Sequence, residues 1–178
     1  LYKSCEITKD SNKRVEKSVK TLLCKEKLYP IIKLIYNAGL FQTILPSTKK
    51  ILNQPQFDGY HYHPVDIHSI KTLKFAQNIQ NKEIKAIFDK LTKEQKIIVR
   101  LAAFLHDIGK GRTQDHHIVG EKLLKSMLKS FYFNDETIRI AAELVRYHNM
   151  MSYVANHEDI YSEKAILNFT GLIETKES

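Results

Sequence analysis

The chain has 178 residues, 43% of them apolar and 27% charged. This suits one globular domain, or one domain with a helical extension. No apolar run approaches the roughly 18 residues that cross a bilayer, so no segment reads as a membrane helix, and no secretory pattern opens the chain. The net charge of +8 leaves two readings open, a lysine-rich solvated surface or an anionic partner such as a phosphorylated substrate. The lysines are dispersed and no aromatic residues interleave with arginine as a stacking platform requires, so nucleic acid is not expected as a partner.

In chain order, almost every ordered-looking segment has helical period. Residues 12 to 24 start polar and end in "VKTLLC". Pro30 opens "PIIKLIYNAG", with apolar residues at 31, 32, 34 and 35 and Gly39 as its stop. The following "LPSTKKILNQPQFDGYHYHP" reads as loop, holding Pro46, Pro55, Gly59 and Pro64. Pro64 is placed to begin the helix "PVDIHSIKTLKFAQNI". Thr92 and Gln95 form a capping box for "KEQKIIVRLAAFLHDIG", whose apolar stripe is 97, 98, 101, 104, 105 and 108 and whose stop is Gly109. Asp115 can cap "HHIVGEKLLKSMLKS", Asn134 can cap "DETIRIAAELVRYH", and Ser162 can cap "EKAILNFTG". No alternating strand or repeat is visible, and all-α is the expected class. Cys5 and Cys24 lack CxxC spacing and read as free thiols. The chain opens on Leu1, which suggests a piece of something longer.

Chemistry concentrates at helix ends. Of eight His residues, His68 lies in the first turns of its helix, His106 and Asp107 in the last turn of the next, His116 begins the one after, and His148 ends the one after that. Singly, a helical His is weak evidence for anything beyond packing. Together, these helices share one core, so their ends can converge on one pocket. Imidazole with carboxylate suits a divalent transition metal better than carboxylate alone, which favours Mg. A metal that lowers the pKa of water would serve phosphate ester hydrolysis. Lys110 and Arg112 follow directly and could neutralise phosphoryl oxygens. Their plainer reading is as solvated turn cations at a helix C-terminus.

The pattern His68 … His106-Asp107 … His116 … His148 resembles the HD superfamily of metal-dependent phosphohydrolases. The blocks "YHYHPVDIHSIKTL", "LAAFLHDIGKGRTQDHHIVG" and "LVRYHNMMSYVANHEDI" are similar to the HD domain of the bacterial PII uridylyltransferase/uridylyl-removing enzymes. "IIKLIYNAGLFQTILP" is similar to the helical segment that precedes that domain. The resemblance covers roughly residues 30 to 170, and HDIGKGR with DHxxxG is its most specific part.

The resemblance implies an HD-domain helical bundle over 58–178 with an N-terminal helical segment over 1–57. It implies His68, His106 and Asp107 as metal ligands, with His116 and His148 for a second ion or the phosphate. It implies Lys110 at the phosphate, with Arg112 and Asp115 at matching positions in less defined roles. His117 departs from the small polar residue usual there, while His61 and His63 read as rim residues and His157 as surface. The cofactor implied is a divalent metal, one or two ions of Mn, Mg, Fe or Zn. The reaction implied is hydrolysis of the phosphodiester joining UMP to a tyrosine of the PII nitrogen-signalling protein, in the cytoplasm. The parent implied carries an N-terminal nucleotidyltransferase domain and C-terminal ACT domains. Family members usually add a final Asp ligand from a later helix; Asp159 aligns with a loop, so that ligand is expected beyond Ser178. Two other readings stay open: an HD phosphohydrolase acting on a different nucleotide, and a regulatory connector with an incomplete metal site.

Overall fold

The structure, a computed structural model, describes residues 9–56, 62–159 and 161–173. Cys5 and His61 lie outside the described residues. Ten helices are described: α1 (Lys9–Leu23), α2 (Leu28–Asn37), α3 (Phe41–Ile44), α4 (Val65–Gln77), α5 (Lys82–Lys90), α6 (Lys93–Leu105), α7 (His116–Ser130), α8 (Asp135–Arg146), α9 (Met150–His157) and α10 (Glu163–Ile173). A 3₁₀ turn spans Pro46–Ile51, and no strand occurs among the described residues. The all-α expectation holds. No helix of the described residues is long and apolar enough to cross a membrane. The chain divides into two compact units, Leu1–Arg146 and Tyr147–Ser178.

In the first unit α6 packs against both α4 and α8, while α7 lies on α8 and α2 on α4. The α6 stripe becomes core as its spacing dictates: Leu101, Phe104, Leu105 and Ile108 are essentially inaccessible and Ile98 is buried. Leu23, Leu28, Ile32 and Ile35 of α1, α2 and their junction belong to the same core. α2 starts at Leu28, two residues before Pro30, and Leu34 of the expected stripe faces outward. Its end is as expected. Gly39 takes φ +70°, Gly39 N–H donates to the Tyr36 carbonyl and Leu40 N–H to that of Ile35, a Schellman closure.

Other boundaries follow local chemistry. Pro64 stands one position before α4 as its N-cap. Val65 N–H donates to the Gln54 carbonyl and Ile67 N–H to Asp66 Oδ1, so the first donors of α4 are satisfied. The Thr92–Gln95 box is reciprocal, at 2.9 and 3.2 Å. Asp115 caps α7 through His117 N–H, and Asn134 Oδ1 accepts from Thr137 N–H at 2.8 and 2.7 Å respectively. The segment expected to be loop, 45–56, instead holds the 3₁₀ turn, with Leu45, Thr48 and Ile51 fully buried. Pro46 sets its first φ, and Thr48 Oγ1 donates to the Leu45 carbonyl at 2.6 Å. The sequence pattern predicts no separate helix at α5 or α9. α5 buries no residue and is held by the Asn81 cap, which accepts from Glu83 and Ile84 N–H. In the second unit α9 and α10 pack on each other, and the His157 ring stacks on Tyr153 at 4.5 Å.

Candidate metal centre

The regular α6 hydrogen bonds end at Leu105, three residues before the expected end. His106 keeps helical dihedrals as C-cap. The chain then tightens, with Ile108 N–H donating to Leu105 O and Lys110 N–H to Asp107 O, each 3.0 Å. Such i→i+3 closure is how a helix end satisfies its last carbonyls before a sharp turn. Arg112 completes it: Nη1 donates to the Ile108 and Lys110 carbonyls at 2.9 and 3.0 Å. That geometry matches the plainer reading of Arg112 as a cation at a helix C-terminus.

Two glycines let this turn dock. A Cβ on Gly109 would stand 1.9 Å from the His116 carbonyl oxygen and 2.6 Å from Gly120 N. The turn therefore lies backbone to backbone on the first coil of α7, which carries His116. Gly111 has φ +75°, and its Cβ would meet the Lys50 carbonyl at 2.6 Å.

His68 on α4 is presented to this turn. Asp66, two residues earlier and 0% exposed, accepts from the Tyr36 hydroxyl and from Asn53 N–H, each at 2.9 Å. It locks the first turn of α4 to α2 and to the loop. Burial first, then the bond to Asp66, pushes the Tyr36 phenol up to about 12.

The result is a compact donor set. His68 Nε2 and His106 Nε2 are 3.1 Å apart. Asp107 Oδ2 lies 3.2 Å from His106 Nε2 and 3.8 Å from His68 Nε2. His106 Nδ1 is 3.0 Å from the Ala103 carbonyl. A carbonyl only accepts, so that nitrogen carries a proton and the ring is turned with Nε2 facing the other two groups. The same three residues place one ligand atom each within 4.8 Å of one another. Adjacent ligands on a cation with bonds of about 2.1 Å stand about 3.0 to 3.4 Å apart. Two of the three separations, 3.1 and 3.2 Å, fall in that range and the third, 3.8 Å, lies just outside it, and two imidazole nitrogens with a carboxylate oxygen are a donor set for a divalent transition cation.

Around this set, Lys110 Nζ is 2.9 Å from Asp107 Oδ2 and donates to Gln56 Oε1 at 2.6 Å. His116 Nε2 lies 3.9 Å from Asp107 Oδ1. Asp107 is 1% exposed. Burial opposes its ionisation, but hydrogen bonding and charge from His106 and then Lys110 prevail and hold the carboxyl well below the usual carboxylate range. Burial, then the neighbouring His117, pushes the His116 imidazole down against the pull of Asp107. The shift favours the neutral ring, the form in which an imidazole binds metal or accepts a proton.

The structure thus brings His68, His106, Asp107, Lys110 and His116 together in the first unit. Asp115 is the α7 cap and also meets His117 Nδ1 at 3.0 Å, while the His117 ring lies on that of His116 at 3.8 Å. His63 pairs with Lys71 Nζ at 2.5 Å. His148 sits in the turn Tyr147–Met150 that opens the second unit. Asp159 accepts from Tyr161 N–H in the loop between α9 and α10. Gln56, Asp66 and the Ala103 carbonyl were not foreseen, since nothing local in sequence marks a residue that supports a ligand from another element.

The HD domain family matches residues 65–169. The chain belongs to that family. This HD domain chain is similar to the bifunctional uridylyltransferase/uridylyl-removing enzyme of Zymomonas mobilis, at 30% identity over 153 residues, 83% of this chain and 16% of the relative. It is 32% identical to that of Vibrio parahaemolyticus over 165 residues, 88% of this chain and 19% of the relative. It is 30% identical to that of Vibrio vulnificus over 169 residues, 91% and 19%. The chain spans under a fifth of the length of these relatives. HD membership and these relatives support a metal-dependent phosphohydrolase, and the chain has His and Asp groups that could hold a metal ion.

Proposed function

We propose that this HD domain is a uridylyl-removing phosphodiesterase, hydrolysing UMP from the uridylylated tyrosine of a PII signal protein. The observation that carries the hydrolytic part is the convergence of His68 Nε2, His106 Nε2 and Asp107 Oδ2 beside the Lys110 ammonium. The uridylyl substrate rests on the relatives, each named as a uridylyl-removing enzyme. PII as the carrier, a parent with transferase and ACT domains, and a cytoplasmic setting belong to the same proposal.

His68, His106 and Asp107 would hold a divalent ion of Mn, Fe, Zn or Mg. When bound, it supplies Lewis acidity and a hydroxide nucleophile near neutral pH. Asp107 does its part as an anion already ionised in a dry setting. Lys110 is held between Asp107 and Gln56, where its ammonium can turn towards a phosphoryl oxygen and offset the charge gathering there. Arg112 shapes the turn that carries Lys110, and Asp115 the helix start that carries His116. His116, 3.9 Å from Asp107, would orient the phosphate.

The test is UMP release from uridylylated PII by the full parent protein in Mn or Mg, with metal content measured by elemental analysis. Asp107→Ala is expected to abolish release while circular dichroism stays helical. Normal turnover by that variant, or a metal-free and inactive parent, would reject the proposal; the latter would favour the connector reading. Preference for a free nucleotide over the protein ester would leave the hydrolase and replace the substrate.

A further inference from the structure

Arg100 lies on α6, seven residues before Asp107, and is 6% exposed. Its Nε has no hydrogen-bond partner, and Glu26 is the carboxylate that shares its hollow. Burial pushes its guanidinium below the ordinary value, with Glu26 acting the other way. Even so, an arginine stays charged. A buried cation without a paired anion is a costly arrangement that a bound anion would relieve.

The surroundings offer room for one. A cavity of about 360 Å³ is lined by Cys24, Glu26, Lys93, Lys96 and Arg100. A second, of about 200 Å³, shares Glu26, Lys96 and Arg100 and runs on to Gln77, Phe88 and Asp89. Lys93, Lys96 and Arg100 recur at intervals of three and four, so they share one face of α6. Lys96 Nζ is already steered, donating to the Asp89 carbonyl at 2.9 Å and standing over the Phe88 ring at 5.7 Å. In the larger cavity three cations face a single carboxylate. None of these residues belongs to the metal centre. Cavities of this size suit a small molecule, and a planar guanidinium flanked by two ammonium groups matches the several oxygens of a phosphate better than a lone carboxylate.

We propose that this hollow between α5, α6 and the α1–α2 junction binds the phosphate group of a small phosphorylated molecule, with Arg100 as the anchor and Lys93 and Lys96 as its flanks. It is a ligand site separate from the hydrolytic one.

Pyrophosphate is the probe, titrated into the 178-residue chain in EDTA and followed by calorimetry and by amide chemical shifts. The expected result is saturable binding, with the largest shifts at residues 93–100 and at Glu26. Lys110→Ala is expected to retain it, which separates this site from phosphate held at the metal centre. Arg100→Met is expected to weaken binding at least tenfold without loss of helicity. Should Arg100→Met fail to fold, Lys93→Ala/Lys96→Ala decides: weakening of at least fivefold supports the site, and unchanged affinity overturns it. Absence of saturable binding to the wild-type chain, equal affinity in Arg100→Met, or shifts confined to residues around Lys110 also overturns it.

Discussion

Asp107 carries a full charge in a nearly dry setting because its partners outweigh the cost of burial. Removing it should therefore affect chemistry more than architecture. Asp107→Ala in the parent protein is expected to lower phosphodiesterase turnover by more than about a thousandfold, the scale of several kcal/mol of lost metal-centred stabilisation. Lys110→Ala is expected to lower kcat about a hundredfold, about 2.7 kcal/mol of lost transition-state charge stabilisation, with little change in metal content. Tyr36 gives a pH prediction. Its folded pKa, about 12, lies above the unfolded value of about 10, so its contribution is complete below pH 10 and is lost as pH rises towards 12. Tyr36→Phe should flatten the fall in stability across that window in alkaline denaturation curves; an unchanged slope would count against a raised Tyr36 pKa as the source of the fall. At this scale the candidate ligands are readable because His, His-Asp and His stand near helix ends in a fixed order. Gln56 and Asp66 were not, because a side chain that positions a distant ligand leaves no periodic trace.

At the scale of elements, what matters is how closely the α6 turn approaches α7. The sequence makes Gly109 look like an ordinary helix stop, but the structure gives it a different reason: the His116 carbonyl occupies the space a Cβ would need. Gly109→Ala is expected to destabilise the chain by about 3 kcal/mol and to shift His116 away from Asp107, lowering metal affinity as well as Tm. A variant with wild-type Tm and metal affinity would show that the turn can yield. The capped helices α6, α7 and α8 were legible because a cap and an apolar stripe agree at each. The solvated α5 carries Ile84 and Ile87 outward, at 56% and 66% exposure, so no core-facing stripe announced it. The 3₁₀ turn is hidden by Pro46, which reads as loop although Ile51 is fully buried.

At the scale of the molecule, the N-terminal helices share the core that carries the centre. Leu28 is 0% exposed, and Leu28→Ala is expected to cost about 3 kcal/mol in chemical denaturation, with weaker metal binding only near the transition. The arrangement of the ligands has a thermodynamic consequence. His68 and His106 are 38 positions apart and meet only when α4 and α6 are packed. A collapsed but unpacked chain has no such pair, so a metal bound by the proposed centre would select the native state and link unfolding to metal concentration by mass action. Free Mn or Zn at a hundred times its Kd is expected to stabilise the chain by about 2.7 kcal/mol, seen as a Tm that climbs with the logarithm of metal concentration. In Asp107→Ala that climb should vanish, making thermal denaturation an assay of the centre that requires no substrate.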